Sequence, residues 1–131
     1  MGTDGAARGR RARLSASRDF DAVYRKGRSF SDRNLVVYVF PCERGESGPR
    51  LGVSVSRKVG GAVERNRIKR VLREQFAAHR DLVPDSTDVV VIARRGLVEF
   101  LDEHGGAAVG ERLAALLERG ARAMADPAVP A

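Results

Sequence analysis

The run Val89-Val90-Val91-Ile92 constrains the fold of this 131-residue chain more than any other stretch. Four β-branched residues with no polar alternation read as part of a short strand, Asp88 to Ala93, buried on both faces. Such a strand needs a layer against each side. Other extended segments supply its neighbours. Leu35-Val36-Val37-Tyr38-Val39-Phe40 is β-branched and aromatic and is ended by Pro41. Leu51 to Ser56 alternates at period two, with Leu51, Val53 and Val55 on one face. Its other face, Gly52, Ser54 and Ser56, is too small to fill a core and leaves room for something to lie against it. Ser29 to Ser31 forms a short strand before the turn residues Asp32-Arg33-Asn34, and Glu43 to Pro49 is a polar turn.

Helices occupy the remainder. Ser17 caps a helix over 17–26, with Asp19 in its first turn, Phe20, Val23 and Tyr24 as one apolar stripe, and Gly27 as a stop. Gly60-Gly61 breaks the chain, and a second helix spans 61–79. Residues Arg94 to Gly106 read as a loop with a helical turn at Leu97 to Leu101. Val109, Leu113, Leu116 and Leu117 define a last helix over Ala107 to Arg119, closed by Gly120. The expected organisation is a disordered basic tail (1–13), one domain (14–122) and a disordered C-terminal tail (123–131). The order αβββαβα makes an α+β sandwich of one central sheet and packed helices.

Charge is concentrated on the second helix. Between residues 54 and 73 stand Arg57, Lys58, Arg65, Arg67, Lys69, Arg70 and Arg73 against Glu64 alone, so these twenty residues hold +6 of the chain's net +7. On a helical projection Ile68, Val71 and Leu72 cluster on one side, with Phe76 at the stripe's edge. Asn66, Lys69, Arg70 and Arg73 fall in an arc of about 100° on the other, and Arg65 and Arg67 flank the boundaries. Like charges at Arg65/Lys69, Lys69/Arg73 and Arg70/Arg73 repel, which a face kept only for solubility would avoid. Fixed cations on a rigid rod suit phosphate, which Arg binds in a bidentate fork. Arg57, Lys58, the glycines and the unpaired N–H groups of the first helical turn extend the surface.

Other chemistries find little support. Cys42 is the sole cysteine, which excludes an internal disulfide and fits a reducing cytoplasm. His79 and His104 lack metal-ligand spacing and partners for acid–base work. The acids lie mostly in the last third, scattered over surface positions. The N-terminus has no apolar run of a signal peptide, and no stretch approaches the roughly 20 apolar residues of a membrane span. The residues alone leave open a ribosomal-type RNA-binding protein or a helix that reads DNA.

The segment Gly52 to Arg70, GVSVSRKVGGAVERNRIKR, closely resembles the signature of the bacterial ribonuclease P protein subunit, with Arg65-Asn66-Arg67 as that family's RNR motif. Arg13-Leu14, Asp19-Phe20, Val23-Tyr24, Lys26-Gly27-Arg28-Ser29, Arg33-Asn34 and Val37-Tyr38 sit where the family has its first helix and early strands, and Asp88 to Arg94 where it has its last strand. The resemblance covers about residues 13–122. It departs at Gly61, where the family commonly has Asn, and over Arg94 to Gly106, which is longer than usual.

The resemblance implies a fold similar to ribosomal protein S5 domain 2, with a left-handed βαβ crossover, against the general rule for such units. It implies a protein that binds a large catalytic RNA one to one, is a monomer when free, and assists removal of the 5′ leader from precursor tRNA. The RNA supplies the active site and holds the magnesium ions; the protein alone holds no cofactor and has no catalytic residue. By position, Arg57, Lys58, Arg65, Asn66, Arg67, Lys69, Arg70 and Arg73 face the catalytic RNA. Phe20, Tyr24, Val36, Tyr38 and Ser54 belong to a cleft for the single-stranded leader, where aromatics can stack on bases. Phe20 fits a core role equally well, and Val23 fits the core better.

Overall fold

The computed structural model describes residues 28–41, 49–85 and 87–125. The expected first helix, with Phe20 and Tyr24, lies outside them. Four strands, β1 (Arg28–Ser31), β2 (Leu35–Pro41), β3 (Arg50–Ser54) and β4 (Thr87–Ala93), form one sheet in the order β1-β2-β4-β3. Helix α1 (Ala62–Ala78) joins β3 to β4, and α2 (Leu97–His104) and α3 (Gly106–Ala125) follow β4. None of these helices is long and apolar enough to cross a membrane.

The apolar run lands in the sheet's interior. β4 pairs antiparallel with β2 and parallel with β3, and Val89, Val90 and Val91 are wholly buried. Adjacent parallel strands cannot be joined by a tight turn, which is why the chain leaves the sheet as α1 before returning. The register sorts the side chains. Leu35, Val37, Val39, Leu51, Val89, Val91 and Ala93 face the helices and form one core with Ile68, Leu72 and Phe76 of α1, Leu97, Val98 and Leu101 of α2, and Val109, Leu113, Leu116 and Leu117 of α3. Val36, Tyr38, Phe40, Val90 and Ile92 occupy the opposite face, where Tyr38, Phe40 and Ile92 pack around Val90. The β1–β2 turn is built on Asp32, whose Oδ1 accepts the N–H groups of Asn34 (2.8 Å) and Leu35 (2.9 Å).

Three expectations shift. The stretch after β4, expected as a loop with one helical turn at Leu97 to Leu101, holds a longer helix, α2. Glycines punctuate both its ends, Gly96 at φ 95° and Gly105 at φ 87°, left-handed values that favour glycine. Gly120 does not end α3, which continues to Ala125. It is buried where the helix lies on the sheet, and a Cβ there would stand 3.0 Å from Val39 Cγ1. The glycine serves close approach. On α1, Phe76 is buried and Val71 only half-buried, the reverse of the projected ranking, because the contact stripe runs at i, i+4 through Ile68, Leu72 and Phe76.

Candidate nucleic-acid interface

The cationic side of α1 is fixed by its apolar side. With Ile68, Leu72 and Phe76 turned into the core, Asn66 and Arg70 are exposed and Lys69 and Arg73 half-buried beside them. Arg57 and Lys58 are exposed on the connection from β3, so six of the eight expected docking residues are exposed or half-buried. The other two differ. Arg67 is held across the helix pair, its Nη1 donating to Asp102 Oδ1 of α2 at 2.7 Å, with both side chains largely solvated. Arg65 is half-buried, and its Nε is enclosed without a hydrogen-bond partner. A buried donor left unpaired costs about 1–3 kcal/mol, so this nitrogen gains most from an arriving acceptor.

The amino end of α1 is capped by one of its own side chains. Glu64 reaches back so that its Oε1 accepts the Gly61 N–H at 2.9 Å. A Cβ on Gly60 would meet that oxygen at 2.7 Å, so the first glycine is what admits the carboxylate. The helix's positive end therefore carries its own acid beside the N–H groups of its first turn.

On the sheet, the register puts Val36, Tyr38 and Ser54 on the face turned away from the helices: Val36 and Ser54 both pair with Ile92, and Tyr38 pairs with Val90, which also pairs with Gly52. Ser29 and Ser31 of β1 join the same face opposite Tyr38 and Val36. Small polar residues thus border a half-buried tyrosine and a β-branched floor. Sequence reading missed three members. Phe40 and Ile92 face the same way, and Arg50 closes that end, its Nε and Nη2 donating to Asp88 Oδ1 (3.1 Å) and Oδ2 (2.9 Å). Alternation along β2 could have supplied Phe40; the Arg50–Asp88 pair spans 38 residues and had no local signal.

Among the described residues, no group of three or more His, Cys, Asp or Glu could hold a metal ion. The His79 ring nitrogen Nδ1 lies 2.9 Å from the Gln75 carbonyl at the end of α1, and His104 stacks against Phe100 at 4.6 Å.

These features define a class: a small basic α+β protein with a cationic helix on one side of a sheet and a second face of the sheet turned away from the helices. Comparison with known proteins narrows it. The ribonuclease P family model matches residues 9–118. The ribonuclease P protein component of Staphylococcus carnosus is 46% identical over 83 residues, 63% of this chain and 70% of that protein. That of Desulfovibrio desulfuricans is 38% identical over 113 residues, 86% of this chain and 85% of its own. Among solved structures, the RNase P protein of Thermotoga maritima superposes with a TM-score of 0.73 at 36% identity, covering 82% of this chain and 96% of that one. A Staphylococcus aureus RNase P protein mutant with defective mRNA degradation activity gives 0.75 at 31%, covering 91% and 96%. The chain belongs to the ribonuclease P protein family.

Proposed function

We propose that this protein is the protein subunit of ribonuclease P, docking through the cationic side of α1 on the catalytic RNA and holding the 5′ leader of precursor tRNA against the open face of the sheet. Its relatives are named as ribonuclease P protein components, which supports a role in tRNA processing and partnership with that RNA. The observation that carries the two-surface reading is the register: α1 packs on one face of the sheet, while Val36, Tyr38 and Ser54 lie on the other. Arg57, Lys58, Arg65, Asn66, Arg67, Lys69, Arg70 and Arg73 meet RNA phosphates, and Tyr38 stacks a leader base, with Phe20 and Tyr24 completing the cleft.

Within the particle the protein positions and the RNA reacts. Magnesium would be held mainly by the RNA, which would supply the reaction chemistry; the protein's cations offset phosphate repulsion between the two RNAs and so lower the ion concentration needed. One copy binds per RNA, and the free protein is a monomer. Reconstitution tests this. Adding the protein to the catalytic RNA should stimulate leader removal at low magnesium, and no stimulation refutes the assignment. Arg65→Ala with Arg67→Ala should weaken binding to the catalytic RNA more than to free leader, and Tyr38→Ala should do the reverse; equal losses would break the two-surface reading. RNA-free protein should leave precursor tRNA intact.

A further inference from the structure

A third surface lies outside both of these. At the end of the sheet where β2 begins and β4 ends, an open hollow of about 300 Å³ separates the β1–β2 turn and the β4–α2 connection from the facing sides of α2 and α3. Its wall is built rather than incidental. The Asp32 carbonyl accepts Arg94 Nη1 at 2.9 Å, and the Asn34 carbonyl accepts the Arg94 N–H at 2.9 Å, which ties the turn to the connection. Asn34 is 4% exposed, and its Oδ1 has no hydrogen-bond partner. A Cβ on Gly96 would stand in ordinary contact with Asn34 Nδ2, at 3.7 Å. On the far wall the Arg112 guanidinium carbon lies 4.8 Å from the Phe100 ring centroid, and Arg112 Nη1 lies 3.8 Å from Asp32 Oδ2. Arg33 and Arg95 are exposed at the rim, and Glu99, Glu103 and His104 of α2 complete the lining.

The mixture is informative. Free phosphate suits Arg33 and Arg95 but is repelled by Glu99 and Glu103. An apolar peptide finds only Phe100. A nucleotide satisfies both signs, because its charge sits at one end and its base carries N–H donors at the other. Unpaired RNA bases are commonly stacked on aromatic rings or guanidinium planes and read at their edges. The volume is at the lower end for small-ligand sites, enough for one nucleotide and not for a duplex. We propose that this hollow takes one unpaired, amino-bearing nucleotide of the partner RNA. Its phosphate meets Arg33 and Arg95, its base lies along the Phe100–Arg112 wall, and its exocyclic amine faces Asn34 and Glu99. The inference rests on the ribonuclease P reading for its RNA partner and adds a contact that neither the helix nor the sheet face supplies.

The test uses the isotope-labelled full chain and mononucleotides. Adenosine 5′-monophosphate should shift the backbone amide resonances of Asn34, Gly96 and Phe100. Inosine 5′-monophosphate, with a keto group in place of the amine, should bind about ten-fold more weakly, since it leaves the buried acceptor unpaired. Inorganic phosphate should perturb only the rim. The double variant Arg33→Ala, Arg95→Ala alters two exposed side chains, so the fold stays intact and the adenosine shifts should fade. Equal shifts with inosine or phosphate, shifts confined to α1, or none at all overturn the site. Loss of catalytic-RNA binding in the Arg65→Ala, Arg67→Ala variant is a separate readout: if it occurs without adenosine shifts, the hollow fails while the subunit assignment stands.

Discussion

The Arg50–Asp88 pair offers the sharpest test of how β3 is held to β4. Both side chains sit on the open face of the sheet, joined by two hydrogen bonds of 3.1 and 2.9 Å, with side-chain exposures of 18% and 5%. Asp88→Ala leaves Arg50 without its carboxylate in a largely dry site. Breaking a buried pair from one side costs about 3–5 kcal/mol. Residual water at Arg50 moves the expectation to the lower end, about 3 kcal/mol. For a domain of this size that corresponds to a fall in Tm of about 10 °C. Urea unfolding of the full chain gives the cost directly through the midpoint shift at constant slope. Both residues also make other contacts, so the pair is isolated by a double-mutant cycle with Arg50→Met. The double variant should be less damaged than the sum of the singles by about 1–3 kcal/mol, because removing both partners strands no charge. Additive effects, or an Asp88→Ala protein within about 0.5 kcal/mol of the parent, would refute the claim that this pair anchors the edge strand.

Three further outcomes follow from single positions. Gly96→Ala forces a side chain onto a φ of 95° and should cost about 1–2 kcal/mol in thermal unfolding; a neutral result means the start of α2 relaxes freely. Leu113→Ala opens a hole where α3 meets the core and should cost about 3 kcal/mol in urea, against less than about 1 kcal/mol if the site collapses. Arg70→Ala, at an exposed position, should leave stability within about 0.5 kcal/mol but lower the salt slope of catalytic-RNA binding by about 1, and an unchanged slope removes Arg70 from the interface.

Local pattern carried the elements, and long-range pairing carried what was missed. The valine run reads as a doubly buried strand because its signal is contained in four adjacent residues, and β4 duly lies between two partners. The extent of α1 is legible within a residue at each end, since Gly61 and the Ile68/Leu72 stripe are local. Only a helical turn at Leu97 to Leu101 of α2 is legible, because its apolar positions, Leu97, Val98 and Leu101, fill barely two turns and sit beside Asp102, Glu103 and His104. Gly120 was misread because a helix stop and a close helix–sheet contact use the same residue, and the contact with Val39 lies 81 positions away. The site divides the same way. The cations on α1 are visible in sequence, but that Glu64 caps the helix, that Asp102 holds Arg67, and that Phe40, Ile92 and Arg50 share a face with Tyr38 depend on folding.

The register also says where the two proposed RNA surfaces must meet. Across most of the molecule the sheet separates them: Arg70 and Tyr38 lie on opposite sides of a closed apolar layer, so a change at one has no direct path to the other. The connection after β3 is the exception. Ser54 faces the open side opposite Ile92, and within a few residues the chain passes Arg57 and Lys58 and turns into α1 on the helical side. These two exposed cations stand at the rim common to both faces. Arg57→Ala with Lys58→Ala should therefore weaken catalytic RNA and free leader together, with the salt slope falling for each by up to about 2. Arg70→Ala should affect the catalytic RNA alone. If the rim variant behaved like Arg70→Ala, the two RNAs would not share this edge. Direct competition assays between leader and catalytic RNA fragments would then show independent binding, where a shared rim requires mutual weakening that fades as salt rises.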